Sequence, residues 1–184
     1  DAVVAQLLAQ RGITTFEEAR AFFRPHIGQL HDPFLMKDMD KAVARLQQAI
    51  DQKEAVMVYG DYDVDGTTSV SLLTHFLRSQ GLDVTPYIPD RYAEGYGLSK
   101  KGIDTAKAAN IKFMIALDCG VKAIEQVAYA KTLGIELIIC DHHTPGDALP
   151  DALAVLDPKR SDCAYPFKEL CGCGVGFKLM QGLL

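Results

Sequence analysis

Five aspartates and two histidines fall into three tight groups: Asp61-Tyr62-Asp63-Val64-Asp65-Gly66, Asp118 within Ala116-Leu117-Asp118-Cys119-Gly120, and Asp141-His142-His143. Each group follows directly on an apolar run with the character of a buried strand. Side chains at the ends of neighbouring parallel strands converge on one crevice. Carboxylates gathered there would repel one another or go unpaired unless something positive sat among them. Two divalent cations meet that need. Mixed carboxylate and imidazole donors point away from thiolate-type zinc and toward Mn²⁺ or Mg²⁺, with Mn²⁺ better matched to imidazole. Two such ions about 4 Å apart make a phosphoester hydrolase: they generate hydroxide from water and hold both the attacking and the leaving oxygen.

The three groups have distinct expected roles. In an extended loop Asp61, Asp63 and Asp65 alternate and face one site, and Gly66 permits the turn into a helix. Thr67 and Thr68 then either cap that helix or approach a phosphate. The spacing imitates a calcium loop, but that pattern needs a Glu six residues after its Gly, where this chain has Leu72. Asp118 ends a strand, where an Asp is equally a turn residue or a cap. Asp141, His142 and His143 cannot all point into one pocket from a regular strand, so their roles differ. One imidazole is a natural ligand. The other contacts a phosphate or protonates a leaving group, and Asp141 either ligates or orients an imidazole.

The elements that must position these groups are legible from hydrophobic period. Ala2 to Gln10 reads as a helix closed by Gly12. A second helix is expected over 16–23, capped by Thr15, with Glu17 and Glu18 favoured in its first turn. Leu30 to Met36 reads as an irregular connector, and Lys37 to Gln52 as an amphipathic helix. A regular alternation follows: strand 55–59, helix 67–80, strand 84–88, helix from Ser99 to about Asn110, strand 113–117, helix 121–133, strand 136–140 and a fifth strand at 152–156. Gly174 to Leu184 is again helix-like. Strands alternating with long helices imply right-handed crossovers. The expected fold is α/β: a doubly wound parallel sheet of about five strands with flanking helices, preceded by a helical lead-in over 1–53. Residues 54–184 form the metal-binding domain.

The net charge of −5 in 184 residues and the 48% apolar content describe an ordinary globular chain without a basic nucleic-acid or membrane surface. The five cysteines have no zinc-finger spacing, and Cys171-Gly172-Cys173 is only a weak metal signal. No signal peptide or membrane span is visible, so a reducing cytoplasm is the default expectation. The chain starts and stops inside helix-like stretches and reads as a piece of a longer protein.

The three groups, in this order and spacing, resemble the first three motifs of the DHH phosphoesterase superfamily. Several blocks narrow the resemblance to its bacterial single-stranded-DNA-specific exonucleases: Gly60 to Thr67, Glu94-Gly95-Tyr96-Gly97-Leu98, Asp157-Pro158-Lys159-Arg160, Tyr165-Pro166-Phe167-Lys168 and Gly172 to Phe177. Arg11-Gly12-Ile13, Pro25 and Asp32-Pro33-Phe34 fit the same branch. The resemblance implies 5′-to-3′ degradation of single-stranded DNA in DNA repair and recombination, with two Mn²⁺ or Mg²⁺ ions. It also implies a single-stranded-DNA-binding protein and a helicase as partners. It carries metal ligation to Asp63, Asp65, Asp118 and His142, with Asp118 bridging. Asp61 and Asp141 are ligands or orienters, and His143 is the phosphate-contacting or proton-donating group.

Two departures from the family pattern matter. Related phosphoesterases have a His where this chain has Tyr59, which implies a weaker site for one ion. Their fourth motif, another metal-binding Asp, and a second DNA-gripping domain would lie beyond Leu184, so residues 1–184 alone are expected to bind metal weakly and hydrolyse little. Arg91, Lys159 and Arg160 are candidate phosphate contacts or solvated surface charges, and Tyr92 and Tyr96 are candidates to stack on bases. Two other readings stay open: a relative that cleaves short oligoribonucleotides, cyclic dinucleotides or pyrophosphate, and a homologue that keeps the fold without chemistry.

Overall fold

The computed structural model describes all 184 residues, in two compact units, Asp1–Asp32 and Pro33–Leu184. The first unit holds α1 (Ala2–Ala9) and α2 (Phe16–Phe23), followed by one 3₁₀ turn at Ile27–Gln29. Asp1 caps α1 through Val3 N–H. Thr15 and Glu18 form the reciprocal capping box that starts α2. No helix of the chain is long and apolar enough to cross a membrane.

The second unit contains α3 (Met39–Gln52), β1 (Ala55–Gly60), α4 (Val64–Ser79), β2 (Asp83–Tyr87) and α5 (Lys100–Ala108). It continues through β3 (Phe113–Leu117), α6 (Ile124–Thr132), β4 (Glu136–Cys140), β5 (Ala154–Leu156) and α7 (Gly172–Gly182). The five strands are all parallel, in the order β2-β1-β3-β4-β5. Successive side chains of each strand go to opposite faces. Val56, Val58, Phe113, Ile115, Leu117, Ile138 and Leu156 pack with α3, α4 and α7. Met57, Tyr59, Met114, Ala116, Leu137, Ile139 and Val155 pack with α5 and α6. The sheet is therefore covered on both faces, as the apolar strands required.

Helix α3 belongs to this unit rather than to a lead-in ending at residue 53. Met39, Ala42, Leu46 and Ala49 are fully buried in its core. Arg45, also on α3, lies 4.1 Å over the Phe113 ring and pairs with Glu54 and Glu136, at the starts of β1 and β4. An amphipathic stripe announces a buried face; it does not say which sheet the face covers.

Strand order reverses between β1 and β3, and ligands bind doubly wound sheets beside such a point. The register sharpens this. Gly60 pairs with Leu117, Leu117 with Cys140, and Cys140 with Leu156. The next residue on each of these strands is an aspartate: Asp61, Asp118, Asp141 and Asp157. All four lie in one row at the carboxyl edge, and all are at most 1% exposed.

Glycines let the first loop fit under this edge. A Cβ on Gly66 would stand 2.2 Å from the Asp61 carbonyl oxygen, and one on Gly60 would stand 2.7 Å from the Gly66 carbonyl oxygen. Backbone on both sides leaves no flexible neighbour to yield. Gly66→Ala is predicted to cost about 3 kcal/mol in urea unfolding. Gly146→Ala, where the nearest atom is 3.8 Å away, should change stability by no more than about 0.5 kcal/mol.

Candidate metal centre

The loop after β1 is shorter than expected, because α4 begins at Val64 rather than Thr67. Asp63 is its N-cap, with Oδ1 accepting the Gly66 N–H at 3.0 Å. Asp65 stands in the first helical turn. The three aspartates thus do not alternate along an extended loop. Asp61 is buried beneath, Asp63 caps, and Asp65 follows on the helix. Thr67 does not cap; its hydroxyl bonds back to the Asp63 carbonyl at 2.7 Å. Negative side chains at a helix N-terminus are favoured by the helix dipole, which partly offsets their crowding.

Asp118 sits at the centre. Its φ of +61° is a conformation that a non-glycine residue rarely adopts. Its N–H is held by the Cys140 carbonyl at 2.8 Å. Neither carboxylate oxygen has a hydrogen-bond donor, and neither does Oδ2 of Asp61. The His142 Nε2 lies 3.2 Å from Asp118 Oδ1. Burial, a hydrogen bond to the Asp63 carboxylate, and the charges of Asp63, Asp65 and Asp141 push the Asp118 pKa up to about 8. Asp63 moves the other way, held low chiefly by the Gly66 N–H and in part by Asp118. Without a cation, burial and the neighbouring carboxylates favour the protonated form of Asp118. No lysine or arginine forms an ion pair with Asp61, Asp63, Asp65, Asp118 or Asp141; only histidines approach them.

Asp141 is occupied differently. Its Oδ2 accepts the Val121 N–H at 2.8 Å. Its Oδ1 accepts the backbone N–H groups of His142 and His143, at 2.7 and 3.2 Å, and lies 2.7 Å from His143 Nδ1. Both oxygens are used, so the geometry favours the orienting role over ligation. A carboxylate can only accept, so His143 carries its proton on Nδ1 and presents Nε2, which meets the Tyr96 hydroxyl at 2.9 Å. The ligand atoms of Asp118, His142 and His143 all lie within 4.8 Å of one another. Buried oxygens without donors, imidazole nitrogens beside them and a surplus of carboxylates together fit a divalent cation.

The outer residues divide. Arg91 lies 5.2 Å over the Tyr62 ring, which meets the Tyr96 ring edge-on at 6.2 Å. Glu94 holds the segment that carries them. Its carboxylate, 3% exposed, takes the Tyr87 and Ser99 hydroxyls and the Asp90 N–H, and it faces Lys101. Tyr92 stands in solvent. Lys159 reaches only the exposed Glu169, at 3.8 Å.

Arg160 departs from its expected role as a phosphate contact. It is 7% exposed, with its guanidinium bound by Asp38, Asp162 and the Val155 carbonyl. A planar fork surrounded by three acceptors inside the fold is a structural tie and is not free to meet a phosphate. Tyr59 is likewise structural: its hydroxyl donates to the Gly97 carbonyl at 2.7 Å, and its ring stacks on Tyr87. Asp157 completes the row of aspartates. Burial, with Asp141's charge, raises its pKa to about 6, although the Lys159 N–H pulls the other way.

Gly172, which carries part of the family resemblance, is also a site residue. It opens α7, and a Cβ there would fall 1.9 Å from Asp118 Oδ1. The amino end of α7 therefore rests directly on the central carboxylate.

Residues 55–183 match the DHH family, N-terminal domain. The chain is 46% identical over 182 residues to the single-stranded-DNA-specific exonuclease RecJ of Bacillus subtilis, covering 99% of this chain and 23% of that protein. Against RecJ of Salmonella typhimurium the identity is 40%, over 98% of this chain and 31% of that protein. The chain thus spans less than a third of the length of these relatives. A crystal structure of exonuclease RecJ bound to manganese superposes with a TM-score of 0.73 at 34% identity, over 80% of this chain and 37% of the other. RecJ from Thermus thermophilus in complex with Mn²⁺ gives 0.75 at 29%, over 96% and 24%. With its three acidic groups on one edge of a doubly wound sheet, the chain belongs to the DHH family.

Proposed function

We propose that this chain is the metal-binding part of a single-stranded-DNA exonuclease of the RecJ type, a phosphodiester hydrolase dependent on Mn²⁺ or Mg²⁺. The observation that carries this reading is the buried Asp118 carboxylate, which lacks any donor and stands beside His142 and among the charges of Asp63, Asp65 and Asp141. The names of the relatives and the manganese in the superposed structures support the substrate and the metal. They favour DNA over the small nucleotide substrates and catalysis over a silent scaffold.

Asp63, Asp65, Asp118 and His142 would hold the ions. Bound there, divalent ions supply Lewis acidity toward water and toward the phosphoryl oxygens. The chain's own residues do the rest. Asp141 fixes the tautomer and plane of His143, leaving Nε2 as the atom that carries a proton to or from an oxygen of the phosphodiester. Tyr96 holds Nε2 until substrate arrives. The segment pinned by Glu94 presents Arg91 and Tyr92 to the strand. The family's association with a single-stranded-DNA-binding protein and a helicase extends this proposal to the complete protein.

Asp118→Asn in the complete natural protein is expected to reduce Mn²⁺-dependent hydrolysis of single-stranded DNA to background with the fold retained; undiminished cleavage by that variant contradicts the assignment. The same substitution acts oppositely on the metal-free fold. The Asp118 pKa is raised from 3.8 to about 8. The stability linked to its protonation is therefore full below the lower value and is lost as pH rises through the higher one. Urea unfolding in chelator should show the wild type losing stability relative to Asp118→Asn between about pH 5 and about pH 8.

For the imidazole, His143→Ala should lower kcat by about 10²-fold at saturating Mn²⁺. Asp141→Asn should lower it by about 10-fold, because the ring keeps its place less well. Unchanged turnover in both variants would remove His143 from the chemistry.

A further inference from the structure

Beside the candidate metal centre lies a cavity of about 260 Å³, most of whose lining the proposed chemistry does not use. It lies between the segment after β2 and the loop that joins β3 to α6. Its apolar lining comes from Leu98, Val121 and Ala123, of which Leu98 and Val121 are almost wholly buried. Tyr96 contributes an aromatic ring that is more than half exposed. Lys122 and Gln126 add long polar side chains. Asp141 and His143 line it too, so the cavity is continuous with the catalytic groups.

Its size falls below the roughly 300–1,000 Å³ of pockets that enclose whole drug-like ligands. It suits one flat group with a polar edge and not a longer segment of chain. Sequence-tolerant binding of single strands is made by base faces against aromatic and apolar side chains. A phosphate within reach of His143 Nε2 has a nucleoside on each side. Tyr96 both bonds that nitrogen and lines the cavity, which couples one of those nucleosides to the cavity.

We propose that this cavity is a nucleoside subsite, taking the base of one of the two nucleosides joined by the phosphate at His143. The inference rests on the hydrolase reading. It gives the site a means to place the bond to be cut: the base enters between Tyr96 and Val121, and its phosphate is thereby set against His143. Lys122 and Gln126 meet the base edge through flexible side chains, so any base is accepted.

The test uses the complete natural protein with Mn²⁺ and single strands carrying one abasic site at either nucleoside flanking the cut bond. One of the two positions, and not both, should lower kcat/KM by about tenfold, the scale of one lost stacked base. Ala123→Leu, which fills the cavity, should bring the ratio between regular and abasic strands toward one. That ratio does not depend on how much of the variant is folded. As a second readout, a 5-iododeoxyuridine at the sensitive position should cross-link to Tyr96 in the wild type. Wild-type ratios within twofold at both positions, or cross-linking only outside the cavity, overturn the subsite. Cleavage of neither the regular nor the abasic strand contradicts the hydrolase reading instead.

Discussion

The second unit is organised around charge that the protein does not itself neutralise. Strand register sets Asp61, Asp118, Asp141 and Asp157 in one buried row, and adjacent strands are only about 4.8 Å apart. Asp63 and Asp65 add to it from the start of α4. Burying an ionised carboxylate without a partner is costly, and like charges at this spacing make it more so. The chain relieves the row piecemeal. Asp141 is saturated by backbone N–H groups and His143, Asp63 takes its capping bond, and Asp157 takes the Lys159 N–H on one oxygen only. Asp118 receives only an imidazole and a proton. With one oxygen each of Asp61 and Asp157 also lacking a donor, Asp118 is the largest unmet need in the row.

Two helix termini and two glycines make the arrangement possible. The amino ends of α4 and α7 both abut the acidic groups, and their unpaired N–H groups carry partial positive charge. Gly66 lets the first loop fold tightly over Asp61, and Gly172 lets α7 reach Asp118. The strained φ of Asp118 turns its carboxylate into the crevice at the strand-order reversal. These are costs in stability accepted where a ligand will sit, which is where such costs concentrate in proteins.

Much of this was legible in the residues. Strands 113–117 and 136–140 and helix 16–23 match their expected spans, because short apolar runs bounded by turn residues and a capping box are strong local signals. The convergence of the three acidic groups followed from alternation alone. What was not legible depended on long-range contact. The burial of Arg160 against Asp38 joins residues 122 positions apart, and an arginine in a basic pair looks the same whether it faces water or an internal carboxylate. Helix α3 read as lead-in because its apolar stripe does not identify the sheet it covers. The early start of α4 was missed because a Val and an Asp look like loop until the Asp63 cap is seen. Gly172 needed the position of Asp118, a contact no spacing rule supplies.

The central claim is that the Asp118 cluster exists to hold a divalent cation. Calorimetric titration with Mn²⁺ at neutral pH, in two buffers of different ionisation enthalpy, tests it most directly. Since Asp118 keeps its proton until about pH 8 without metal, binding is predicted to release close to one proton per chain and to raise the unfolding midpoint. Neither heat, nor proton release, nor any change in the midpoint at millimolar Mn²⁺ would contradict the account.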